Sequence, residues 1–230
     1  MTTPVALTLL LLLATACGNG PDLSRHTDDI VWNGVLYTVP FESTGRGLTE
    51  NDLASELFRV RSAVPRASMP LGDRDAAYVS AGEPVYAVKS YAATFRLAAR
   101  HDGRLFLYES RPHPGVKRGA DLLDIEGRVV AIAVLSSYNA GEIARITDPR
   151  RVGVLVHAVS VAAVDLAPPW GVIAGPKTAV FLAFELSDGT RTVRALDPNR
   201  NVLADVIHVD AQFTTMIDEI LRDAPCTPDC

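Results

Sequence analysis

"TAVFLAFELSDGTRTVRAL", Thr178 to Leu196, places two apolar stretches around Asp188-Gly189. Asp-Gly between alternating apolar residues is a hairpin signal, because glycine takes the positive φ that a tight turn requires. The stretch predicts two antiparallel strands, and its neighbours extend them. Upstream, "RVVAIAVLSS" (128–137) is an apolar, β-branched run suited to a buried strand, and "SYNAGEIARI" (137–146) supplies a turn and a returning strand. "TDPRRVGVLVHAVSVAAV" then starts a helix. Asp148 is a good N-cap, and Pro149 takes the first helical position, where its missing N–H costs nothing. Val152, Leu155, Val156 and Val159 recur at helical spacing. Downstream, "NVLADVIHV" (201–209) reads as a strand. "DAQFTTMIDEILRD" closes as a helix capped by Asp210, with Phe213, Ile217, Ile220 and Leu221 on one face. Residues 122–224 are thus expected to form an α+β domain, an antiparallel sheet with two packed helices.

The first half is predicted to be β-rich. "IVWNGVLYTV" (30–39) turns at Asn33-Gly34, a type I′ signal. Thr49 followed by Asp52 imitates a capping box, so one or two helical turns are expected from Glu50. A strand should follow through "LFRVRSAV" (57–64), with Phe58, Val60 and Ser62 on one face and Arg59 and Arg61 on a wet one. After the loop "PRASMPLGDRDAAY", the stretches "EPVYAVKSY", "TFRLAAR" and "RLFLYES" read as strands, the last two joined by a tight turn at His101-Asp102-Gly103. Residues 30–111 therefore form a small β-rich domain in this reading. Residues 112–121, within "RPHPGVKRGADLLD", are the linker, marked by Pro, Gly and mixed charge. One continuous sheet across both halves is the alternative.

The start of the chain bears on location. Val5 to Ala16 carries no charge and ends at Cys17. Twelve residues make about 18 Å of helix, short of a bilayer core of ~30 Å but suited to the apolar core of an export signal. Residues 1–16 are therefore expected to be a signal peptide, residues 17–29 a polar tether and residues 225–230 a tail. The formal charge of −5 and the lack of a Lys/Arg cluster argue against a nucleic-acid partner. Cys226 and Cys230, in the terminal "CTPDC", are candidates for a disulfide; free thiols and a redox or metal site are the alternatives.

Templates for chemistry are missing: the sequence has no G-x-S-x-G, H-E-x-x-H, P-loop, G-x-G-x-x-G or CxxC. The five histidines, His26, His101, His113, His157 and His208, are scattered and read as structural or surface residues. "GDRDAAY" (72–78) brings Asp73 and Asp75 close. It reads as a solvated turn with Asp-to-backbone bonds, a Ca²⁺ loop being the alternative. Asp197, Asn199 and Asn201 begin like an EF-hand, but Val202 and His208 stand where Gly and Glu are needed. "APPWGVIAGP" (167–176) is a rigid loop whose Trp170 either folds onto the core or forms a binding edge. Trp32 is expected in the core. No catalytic residue, metal or cofactor is predicted.

Two resemblances add to this. "ATAC", Ala14 to Cys17, resembles the lipobox of bacterial lipoproteins, although Ala14 stands where that family usually has Leu and "MTTP" carries no Lys or Arg. The resemblance implies cleavage before Cys17 and a diacylglyceryl group on its thiol, which would hold the chain on the extracytoplasmic face of the cell membrane. Plain secretion and an uncleaved anchor are the alternatives. "DIVWNGVLYTV…GDRDAAYVSAGEPVYAVKSYAATFRLAARHDGRLFLYES", Asp29 to Ser110, is similar to segments of uncharacterised bacterial lipoproteins, which implies the envelope and no activity. The expected function is a non-catalytic binding or accessory module for an envelope protein, a glycan or an apolar ligand. A carrier of lipid and an enzyme with a dispersed site are the rivals.

Overall fold

The structure is a computed structural model and describes residues 28–40, 46–64, 71–166 and 180–224. The fold is α+β, with two sheets in which antiparallel pairing dominates. Among the described residues the halves form two sheets rather than one continuous one. Among the described residues the first sheet has eight strands: β1 Asp29–Trp32, β2 Val35–Thr38, β3 Leu53–Arg59, β4 Ser62–Ala63, β5 Asp75–Ala76, β6 Pro84–Val88, β7 Arg96–His101 and β8 Arg104–Ser110. Their order is β3-β6-β7-β8-β2-β1-β5-β4.

That order places β3 and β4 at opposite edges, yet only Val60 and Arg61 separate them in sequence. The Val60 N–H donates to the Glu83 carbonyl on the β6 side. One residue on, the Arg61 N–H donates to the Arg74 carbonyl on the β5 side. The chain therefore crosses from one edge to the other and rolls the sheet into a barrel. Trp32 of β1 stacks on Phe58 of β3 across the interior, with ring centroids 5.6 Å apart. Such a pair stabilises by about 0.5–1.5 kcal/mol beyond its area. Ile30, Tyr37, Val85, Leu97 and Tyr108 fill the rest of the interior.

Turn chemistry sets the registers. Asn33 and Gly34, and again Asp102 and Gly103, all have positive φ, as type I′ turns demand. The helix expected from Glu50 is a single 3-10 turn, Glu50–Asp52, in which the Thr49–Asp52 box closes. The single strand expected over 57–64 is corrected: β3 starts at Leu53 and ends at Arg59, and β4 is separate, although Arg59 and Arg61 are exposed and Phe58 and Val60 buried, as the alternation requires.

The second sheet has, among the described residues, seven strands: β9 Val129–Ser136, β10 Glu142–Ile146, β11 Ala163–Val164, β12 Val180–Leu186, β13 Arg191–Asp197, β14 Val202–Leu203 and β15 Ile207–His208. β12 pairs with β9 on one side and β13 on the other, with the Asp188-Gly189 turn joining it to β13. Helices α2 (Pro149–Val161) and α3 (Ala211–Asp223) cover one face. Val152, Leu155, Val156 and Val159 of α2, and Phe213 and Ile217 of α3, join Ile132, Val134, Leu182 and Phe184 in one core.

Residues 201–209 correct the expectation of one strand. The chain makes a hairpin, β14 to β15, through Ala204 (φ 54) and Asp205 (φ 66). Left-handed backbone costs a non-glycine residue roughly 1–2 kcal/mol, so neither residue announces a turn.

Segment 112–121 runs from β8 into a short helix, α1 (Gly119–Leu122), and it is packed. Val116 is buried in the helix-covered core, and the Gly119 N–H donates to the Ala162 carbonyl just past α2. The α2 cap is as expected: Asp148 accepts the N–H groups of Arg150 and Arg151, each at 2.9 Å. Asp148→Ala should lower stability by about 1 kcal/mol, read as a lower urea midpoint with unchanged slope.

Candidate functional site

Three polar constellations organise the folded part. The first joins barrel to second sheet. Arg96 of β7 and Glu109 of β8 are cross-strand partners pointing out of the barrel, and both are buried, at 0 % and 3 % exposure. Glu109 receives Arg96 Nη2 at 2.7 Å, Arg194 at 2.8 Å and the Thr192 hydroxyl at 2.7 Å, the last two from β13. Arg96 also donates to the Thr190 hydroxyl and lies between the rings of Tyr91 and Phe95. Burial alone would raise the Glu109 carboxyl, but Arg194 and Arg96 hold it below the usual carboxylate range. Beside it, Asp188 accepts from Tyr91 and Thr190, and Arg46 reaches across to the Asp188 carbonyl while pairing with Asp52. Burial pushes the Tyr91 hydroxyl up to about 12, so the proton stays on the donor.

The second constellation sits where the chain enters the barrel. Asp28 accepts from the Tyr108 hydroxyl at 3.0 Å and lies 2.6 Å from His101 Nε2. His101 stacks on Phe106 at 3.8 Å, and its Nδ1 faces Asp102 at 3.5 Å. Both ring nitrogens are therefore turned to carboxylates. Burial raises the Asp28 carboxyl despite these partners.

The third is a cleft of about 320 Å³ between the β6–β7 loop and the segment leading through α1. Ala92, Thr94 and Phe95 form one wall, and His113, Gly115, Val116, Ala120, Asp121 and Asp124 the other. The Ala92 N–H donates to Asp124 at 2.8 Å and ties the walls together. Asp121 accepts the Lys117 and Arg118 N–H groups, both at 2.9 Å on the same oxygen, and these bonds lower its carboxyl from the ordinary value. His113 Nδ1 accepts the Gly115 N–H at 3.2 Å, which assigns the proton of the neutral ring to Nε2. That Nε2 is buried and has no partner among the described residues.

Of the sequence-derived candidates, Cys17, Cys226, Cys230 and Trp170 lie outside the described residues. Asp73 and Asp75 are taken up by the protein: Asp73 accepts the Asn33 N–H at 2.6 Å, and Asp75 accepts the Gly72 N–H and holds Arg61 through two oxygens. Asp197 accepts the Asn199 and Arg200 N–H groups, which makes "DPNRN" a turn. His157 pairs with Glu126 on the surface of α2. Among the described residues, no three His, Cys, Asp or Glu side chains gather where one metal ion could hold them. Arg96, Glu109, Asp121 and Asp124 were not singled out from sequence. The available signal was an Arg and a Glu at matched positions of two strands joined by a two-residue turn.

Comparison of the chain with protein-family models, with curated proteins and with solved structures finds no match.

Proposed function

We propose that this is a lipid-anchored envelope protein, held on the extracytoplasmic face of a cell membrane by a diacylglyceryl group on Cys17, whose folded part is a binding or accessory module. The observation that carries the reading is the uncharged run Val5–Ala16 ending in "ATAC". Each buried methylene contributes about 0.8 kcal/mol, and two acyl chains hold stably where one holds marginally. Anchorage would then need no membrane-crossing helix, and among the described residues no helix is long and apolar enough to be one. Strand β1 begins at Asp29, so twelve residues at most extend from Cys17 to the fold, a reach of roughly 40 Å. The barrel interior is filled by Ile30, Tyr37, Phe58, Leu97 and Tyr108. This favours recognition on the outside over carriage of a lipid within the barrel.

The test is intact mass of protein recovered from its native membrane, wild type beside Cys17→Ser. The expected result is a mature chain beginning at Cys17 with the added diacylglyceryl mass, absent from the variant. A chain cleaved but unlipidated, or one keeping residues 1–16, overturns the proposal.

A further inference from the structure

We propose that the cleft between the β6–β7 loop and α1 binds a primary ammonium on a short apolar stem; this deepens the binding-module reading and rests on it. The lining divides by chemistry. Ala92, Phe95, Val116 and Ala120 are apolar, while Asp121 and Asp124 supply the charge. Among the described residues no lysine or arginine lines the space, and His113 is the one basic side chain in its wall. Asp121 is held ionised by two backbone N–H groups that share one oxygen. Asp121 is exposed, and its other oxygen, which receives no hydrogen bond from the described residues, is open to a donor that enters the cleft. Asp124 is tied through the Ala92 N–H and has Arg128 only at 3.4 Å, a long contact for an ion pair.

Size decides between an ion and a molecule. The acidic groups and His113 do not converge on a point that one metal ion could occupy. A ligand that meets both the carboxylate and the apolar wall must span the cleft, and about 320 Å³ is at the low end of small-molecule sites. An anion would be repelled by both aspartates. An uncharged alcohol would meet the apolar wall and donate one hydrogen bond to Asp121 but bring no opposite charge to it.

The probe is n-butylammonium, with 1-butanol and butyrate beside it, titrated at low ionic strength and pH 8 into the full ¹⁵N-labelled chain in a non-ionic detergent. The expected result is a saturating shift of the Ala92, Gly115 and Ala120 amide signals, with 1-butanol about tenfold weaker and butyrate without effect. Asp121→Asn keeps an oxygen for the Lys117 and Arg118 N–H groups but removes the charge. It should weaken the ammonium about tenfold and leave 1-butanol unchanged. Ala120→Leu should fill the space and abolish both. A linear response to n-butylammonium, equal binding of 1-butanol, saturation by butyrate, or full binding by Asp121→Asn overturns the proposal. A flat titration on a chain lipidated at Cys17 removes the cleft ligand alone, whereas a saturating cleft on an unlipidated chain removes the anchor alone.

Discussion

Glu109→Ala is expected to destabilise the protein by about 3–5 kcal/mol, as much as many domains possess in total. The reason is what stays behind. Arg96 is fully buried and Arg194 is 14 % exposed, and a guanidinium in a protein is a permanent cation. With Glu109 gone, two guanidinium groups remain at the joint between barrel and second sheet without the carboxylate that both contact, and Asp188 is an anion left to act on Arg96 only at longer range. Replacing Arg96, Glu109 and Arg194 together by Met, Leu and Met should cost far less, because no buried guanidinium is left without its carboxylate, while Asp188 keeps its bonds from Tyr91 and Thr190. Urea denaturation of the single and triple variants checks both statements. If the single variant loses under 1 kcal/mol, the joint is wetter than its burial indicates. Acid should act in the same direction. The Glu109 carboxyl is below its ordinary value in the folded state, so its contribution is full above the unfolded carboxylate range. It is lost as pH falls through the lower folded value. The wild type should therefore show a steeper loss of stability in acid than the triple variant.

Gly119→Ala is the second large effect, and its sign is opposite to the usual one. Glycine in a helix normally costs about 0.5–1 kcal/mol relative to alanine, so the substitution would ordinarily help. At Gly119 a Cβ would land on the carbonyl oxygen of Val159, a backbone atom of α2 with no side-chain freedom to move aside. Either α1 withdraws from α2, or the Gly119 N–H to Ala162 carbonyl bond breaks. A loss of about 2–3 kcal/mol is expected. Gly153→Ala is the matched control. It lies within α2, with nothing within 4 Å of the added carbon, and should raise stability by about 0.5–1 kcal/mol. Thermal melts of the two variants should move in opposite directions from the wild type. A Gly119→Ala protein as stable as wild type would mean that α1 is not held against α2.

What could be read from the sequence was local. Asn33-Gly34, Asp102-Gly103 and Asp188-Gly189 each declare a turn because a positive φ needs a residue that tolerates it. Asp148 and Asp210 declare helix starts because their carboxylates take orphan N–H groups within three residues. The antiparallel α+β class follows from these signals. The β14–β15 turn escaped because Ala204 and Asp205 are poor advertisers of left-handed backbone. Barrel closure escaped because it depends on which neighbours Val60 and Arg61 find, and residues 74 and 83 lie far along the chain. The same holds for the joint and the cleft. Arg96 meets Arg191 and Thr190 across nearly a hundred residues, and Ala92 meets Asp124 across thirty-two. Turn and cap chemistry is written within four residues. Side chains that converge from separate elements leave no spacing to recognise.

The closed seam also decides how the protein carries a load. Strand β1 is the first strand among the described residues, yet it is flanked on both sides, by β2 and by β5. Tension applied through the residues before Asp28 therefore meets two rows of backbone hydrogen bonds, together with the Asp28 contacts to Tyr108 and His101. A terminal edge strand would peel off one row at a time. Here the pull is shared around the barrel, so a protein tethered at this end would resist being drawn apart from the end at which it is held.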